Sequence, residues 1–168
     1  NGAKIKGPAV LLTFDDGFYS AFENTGAILA KFNIEAIFFI VADETGKERF
    51  SWLSEKNYGR PMDWDEVKKL SERHIIGSHS LSHSYLSRLD DEALKKEIFD
   101  SKLIIERNLS KKIEYFSYPF GFYGSFDKRV EDFSKLAGYK AAFSNIMGPI
   151  GFDSGLYDIR RTRISESD

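Results

Sequence analysis

A chain of 168 residues can bury one continuous core and is short for two, so a single domain over residues 1–168 is expected. Its 42% hydrophobic content argues against disorder, and a formal net charge of −2 offers no basic excess to draw it to a nucleic-acid backbone. Having no cysteine excludes disulfides and thiolate metal sites, and no apolar run approaches the roughly 20 residues that a membrane span requires. Taken in chain order, the N-terminus NGAKIKGPAV has neither the pattern of a signal peptide nor an initiator Met, which fits a domain cut from a longer chain. Ala9 to Phe14 then reads as a buried strand. Tyr19 to Phe32 has a helical stripe of Phe22, Ile28, Leu29 and Phe32. Ala36 to Val41 is a second strand, and Asp63 to Glu72 a helix with Asp63 as its N-cap. A strand over Ile75 to Ser78 is followed by a long helix from Asp90, another N-cap, to Leu109. Tyr115 to Tyr118, a helix over Ser125 to Leu136, Lys140 to Ser144 and a last strand at Arg161 to Ile164 complete the alternation. Strand and helix in turn argue for a mainly parallel sheet, either doubly wound or a β/α barrel, and both build their sites at the C-terminal ends of strands.

Two clusters fall at such ends. Asp15, Asp16 and Gly17 follow the first strand, and Gly17 permits a turn that brings both carboxylates into one cleft; the plainer reading is a solvated turn in which Asp16 or a neighbour caps the next helix. His79 and His83 follow the third strand at a spacing of four, one helical turn if the segment is helical, so that both imidazoles face one metal; the plainer reading is two surface histidines in a Ser-rich loop. One carboxylate with two imidazoles makes a three-ligand set with an open position, suited to Zn²⁺ or another divalent ion that activates water. With Asp16 as ligand, Asp15 is left to take a proton from that water.

The order TFDDG (Thr13 to Gly17), GSHSLSH (Gly77 to His83) and SYPFG (Ser117 to Gly121) resembles the polysaccharide deacetylase family, the NodB homology domain or carbohydrate esterase family 4. MDWDEVKKLSERHIIGSH, LSRLDDEALKKEI and LAGYKAA extend the resemblance from about Ala9 to Ile164. It implies a distorted (β/α) barrel of about seven strands and removal of N-acetyl groups from N-acetylhexosamine units of a bacterial glycan or glycan precursor, in the cytoplasm or cell envelope. Carried over, Asp15 matches the general base, and Asp16, His79 and His83 match the ligands of Zn²⁺, or of Co²⁺ or Ni²⁺. His74 falls outside that triad and reads as structural. Phe120 matches the backbone oxyanion donor, able with the metal to stabilise a tetrahedral intermediate. Tyr118, Pro119, Phe122 and Tyr123 would wall the substrate side, although aromatic residues at a strand end are more often core. The stretch Asp43 to Arg60, with Phe50, Trp52 and Tyr58, would overhang the cleft or pack on the barrel.

Two departures from the family pattern bear on activity. Many members carry an Arg, which orients the catalytic Asp, where this chain has Ser117; Arg161 is the expected substitute, with Arg160 and Arg163 as rivals. Many also use a late His as general acid, and no histidine follows His83. Either Asp15 makes both proton transfers, or a group beyond Asp168 or from another chain serves, or the protein binds glycan without turning it over.

Overall fold

Five of the six expected strands form, and they pair in the order in which they occur. In this computed structural model, residues 7, 9–53, 59–148 and 155–164 are described. Strands β1 (Leu12–Phe14), β2 (Ala36–Ile40), β3 (Ile75–Ser78), β4 (Tyr115–Ser117) and β5 (Ala141–Phe143) make one all-parallel sheet in the order β1-β2-β3-β4-β5. A doubly wound sheet would reverse its strand order at a switch point. Here the order never reverses, so right-handed crossovers put every connecting helix on the same face, the winding of a barrel. Five strands rather than about seven are paired among the described residues.

The strand expected at Arg161 to Ile164 is absent. Its place beside β5 is taken by an earlier segment that pairs through one parallel bridge, Phe143 with Ile159. Ile159 N–H donates to Ala142 O at 2.9 Å and Ser144 N–H to Ile159 O at 2.9 Å. Two arginines and a threonine crowd the expected position, and the apolar side chain able to fill the sheet is Ile159.

Alternate strand residues enter two separate cores, as the period of two requires. Ala36, Phe38, Ile40, Ile76, Phe116 and Ala142 join the large core beneath the helices. Ile37, Phe39, Ala141 and Phe143 fill the other face with Ile75, Tyr115 and Ile159. Burial on both faces explains why β2 is a continuous apolar run, AIFFI. Gly77 is required between those layers, because a Cβ there would run into the Phe39 ring and lie 3.0 Å from Tyr115 O.

The helices are α1 (Gly26–Lys31), α2 (Trp64–Leu70), α3 (Asp91–Lys95), α4 (Ser101–Leu109) and α5 (Lys128–Leu136). Asp63 caps α2 in a reciprocal box: its Oδ1 accepts from Glu66 N–H, and Glu66 Oε2 accepts from Asp63 N–H, both at 2.8 Å. Asp90 caps α3 through Ala93 N–H at 2.8 Å. The single helix expected from Asp90 to Leu109 is widened by a π-helical turn, Lys96–Asp100, between α3 and α4. The Ile98 carbonyl in that turn accepts from Ser101 Oγ and Tyr139 Oη. The helix expected from Tyr19 does begin there and is likewise widened by a π-helical turn, Ala21–Thr25, ahead of α1.

Candidate active site

Asp15 and Asp16 follow β1 and turn into one cleft by a route that strand alternation would forbid. Asp16 takes φ 71°, and Gly17 N–H donates back to Asp15 O at 2.9 Å, closing a γ-turn around Asp16. A left-handed non-glycine residue in so tight a turn is strained, and such strain is characteristic of functional positions. Gly17 itself sits at φ 81°, where glycine is at ease. Asp16 does not cap the following helical turn, whose N-cap, Ser20, makes no side-chain cap bond either. The same device recurs after β4, where Phe120 has φ 64° and Gly121 N–H donates to Pro119 O at 2.7 Å.

His79 and His83 meet Asp16 from a loop, not from a helix. Ser80 and His83 are both left-handed, at φ 68° and 62°, and His83 N–H donates to Ser80 Oγ at 3.0 Å. The loop is tied to its neighbour by His79 N–H to Ile40 O, Ala42 N–H to Ser80 O and Asp43 N–H to Leu81 O. Glu97, in the π-helical turn and buried, accepts from Leu81 N–H at 2.9 Å, Ser82 N–H at 3.0 Å and Ser82 Oγ at 2.5 Å. Asp16 Oδ1 thereby lies 3.4 Å from His79 Nε2 and 3.2 Å from His83 Nε2. Atoms bound at 2.0–2.1 Å around a tetrahedral ion stand about 3.3 Å apart, so the donor set fits a divalent metal in type and spacing. His79 Nδ1 is 2.8 Å from Ser117 O, the partner that turns Nε2 toward the carboxylate. These three residues could hold the ion.

Asp15 is fixed by Arg161, whose Nη1 and Nη2 reach Asp15 Oδ1 and Oδ2 at 2.8 and 2.7 Å in a two-pronged pair. The guanidinium is satisfied further by Thr13 Oγ1 at 3.1 Å, Ser117 Oγ at 2.9 Å and Ser144 O, which accepts from Nε at 2.9 Å. Ser117 leaves the room and the oxygen that the incoming Arg161 uses. Arg160 instead faces Asp158 at 3.9 Å, and Arg163 is exposed.

Burial pushes the Asp15 carboxyl up, but His79 and Arg161 outweigh it and hold it below the usual carboxylate range. Burial acts the same way on Asp16, and the two imidazoles override it, leaving this carboxylate ionised far into acid. Burial alone would keep His79 neutral, yet Asp15 and Asp16 raise its pKa, so without a metal the site attracts a proton.

The remaining expected residues separate into three groups. Phe120 overlooks the cleft: its ring centroid is 4.7 Å from that of His83, and no described residue accepts from its N–H. Phe122 and Tyr123 are exposed, with Phe122 6.1 Å from the Phe120 ring. Tyr118 and Pro119 are buried, which removes them from any substrate wall. Tyr118 stacks on Phe126 at 4.2 Å, donates to Tyr157 O at 2.8 Å, and is held neutral by burial. Its place two residues after core Phe116 on the same strand face was the available signal. His74 lies at the opposite end of β3, buried beside Phe38. Tyr58 lies outside the described residues. Sequence reasoning missed Glu97 and Tyr85; the Tyr85 ring stacks on Phe120 at 4.0 Å with the Arg88 guanidinium 4.3 Å away.

Strand-end carboxylates, two histidines on one carboxylate oxygen and barrel winding define a hydrolase-like α/β site, and similarity to known proteins specifies it. A family model described as polysaccharide deacetylase matches residues 2–142. The chain belongs to the polysaccharide deacetylase family. It is 28% identical over 168 aligned residues to the poly-β-1,6-N-acetyl-D-glucosamine N-deacetylase of Staphylococcus aureus (strain MRSA252), covering 94% of this chain and 55% of that protein. With YxkH of Bacillus subtilis (strain 168) it shares 26% identity over 157 residues, 93% of this chain and 51% of that one. The chain thus spans about half the length of these relatives. Among solved structures, the deacetylase PplD of Streptococcus pyogenes in complex with acetate superposes with a TM-score of 0.79 at 20% identity, over 92% of this chain and 63% of that one. The likeness establishes the fold as a curled parallel half-barrel of five strands.

Proposed function

We propose that the protein is a metal-dependent N-deacetylase that removes acetyl groups from N-acetylhexosamine units of a bacterial glycan or glycan precursor. The observation that carries this reading is the division of labour between adjacent carboxylates: Asp16 faces two imidazoles, while Asp15 is gripped by Arg161 and kept apart as a base. The named activity of the Staphylococcus aureus relative supports the choice of amide.

A divalent ion held by Asp16, His79 and His83 would polarise the acetyl carbonyl and lower the pKa of the attacking water. Asp15, ionised at neutral pH and aimed by Arg161, takes the proton as that water adds to the carbonyl. The Phe120 N–H, which no described residue engages, donates to the oxygen on which charge develops. His79 and His83 belong to the ligand set and His74 is buried at the far end of β3, so among the described residues Asp15 is the group left to return the proton to the departing amine.

Asp15→Asn should abolish acetate release from N-acetylglucosamine oligomers while leaving bound metal unchanged; undiminished turnover would refute Asp15 as the base. The absence of a histidine after His83 favours one second reading, a catalytically weak glycan-binding member of the fold. Steady acetate release with added Zn²⁺ or Co²⁺ rules that out.

A further inference from the structure

His79 and His83 are held in different ways. His79 is almost wholly buried, and its Nδ1 is fixed by the Ser117 carbonyl. No described residue makes a hydrogen bond to His83 Nδ1, and His83 sits on a strained left-handed backbone. Two aromatic rings meet its imidazole instead. Trp52 lies nearly parallel to it, with centroids 4.4 Å apart and planes 20° from one another, and Phe120 is tilted at 4.7 Å.

Trp52 is itself firmly carried. It follows Ser51, whose N–H and Oγ donate at 2.7 and 2.6 Å to Glu44, a carboxylate only 2% exposed that also accepts from Lys47 Nζ at 2.8 Å. Phe50, fully buried, packs at 4.5 Å on Phe18 and at 4.9 Å on Trp52. Phe18 directly follows the Asp15-Asp16-Gly17 turn. The segment after β2 is therefore pinned on one side by a buried carboxylate and on the other by the residue that follows the turn supplying Asp16.

We propose that Trp52 is a positioning residue for His83: its stacked face sets the plane of the imidazole and keeps Nε2 at Asp16, a task that a hydrogen bond to the second ring nitrogen performs for His79. This rests on Asp16, His79 and His83 being the ligand set. A histidine ring has one soft torsion once its Cγ is placed, and a flat face at van der Waals distance restricts that torsion as a hydrogen bond does. Loss of a group that orients a metal-binding histidine typically weakens binding ten- to a hundredfold, so an effect of that order is expected.

The test titrates metal-free protein with Co²⁺, following visible absorption and competition with a chelator, for wild type, Trp52→Ala, Trp52→Leu, Trp52→Phe and His83→Ala. Trp52→Ala and Trp52→Leu should bind Co²⁺ at least tenfold more weakly with altered absorption bands, and Trp52→Phe should recover most of the affinity. Trp52→Leu keeps apolar bulk without a flat face, which preserves the test should the alanine variant not fold. Leucine binding as tightly as wild type, or Trp52 variants that raise only KM for the sugar, would overturn the proposal and leave Trp52 as a substrate wall. Equal Co²⁺ binding by wild type and His83→Ala would instead remove the ligand set on which the proposal stands.

Discussion

Arg161 grips Asp15 across Ser117, the position at which resemblance to the family leads one to expect an arginine. A guanidinium approaching from position 117 would come from β4 itself; here it comes from a segment beyond β5 and passes over Ser117. Asp15 and Arg161 are mostly buried, with side chains 21% and 11% exposed, so removing one partner strands the other. Arg161→Met should cost about 3 kcal/mol at neutral pH and lower kcat by tenfold or more. The sign of the pH dependence follows from the depressed Asp15 pKa. The stabilisation is complete above the ordinary value of 3.8 and is lost as pH falls through the folded-state value. Urea midpoints of wild type and Arg161→Met should accordingly converge below pH 3.8; a gap that stays constant down to pH 3 would show that the ion pair is not its source.

Glu97 shows how an element far from the chemistry shapes it. The π-helical turn between α3 and α4 advances Glu97 into the loop that carries both histidines, where one carboxylate satisfies two backbone donors and a hydroxyl. Glu97→Ala leaves Leu81 and Ser82 N–H without that acceptor and should cost about 2–3 kcal/mol, measured by chemical denaturation, and weaken Co²⁺ binding in the same titration. Undisturbed metal affinity would confine Glu97 to a stability role. Much of this architecture was legible. AIFFI and the Asp-led helices announce themselves, because a doubly buried strand must be apolar along its length and a cap needs a short acceptor. The aspartate and histidine motifs stood out because few structural demands call for such residues together. The γ-turns, the π-helical turns and the looped histidines were illegible, since Asp16, Ser80 and His83 adopt a left-handed backbone that their residue types do not call for, and the loop carrying Ser80 is tied to the segment after β2 by a distant bond. Spacing alone made the histidine pair look helical.

The sheet is wound in one direction, and Asp15 after its first strand meets Arg161 beyond its last. Among the described residues β1 is an edge strand with Val10 and Leu11 exposed before it, the segment around Ile159 lies past β5, and no helix is long and apolar enough to cross a membrane. The sheet itself is built from neighbours in sequence, each strand pairing with the next. The grip on Asp15 is different, for Asp15 and Arg161 are 146 positions apart, and the matched family region ends at residue 142, short of the arginine. A contact across so long a loop closes only after loop entropy has been offset by everything between. In refolding from urea, far-ultraviolet circular dichroism should therefore recover before acetate release does, and simultaneous recovery would show that the arginine docks with the sheet. On the expected course Asp15 is in place early in folding yet idle, its timing set by the last segment of the chain to settle.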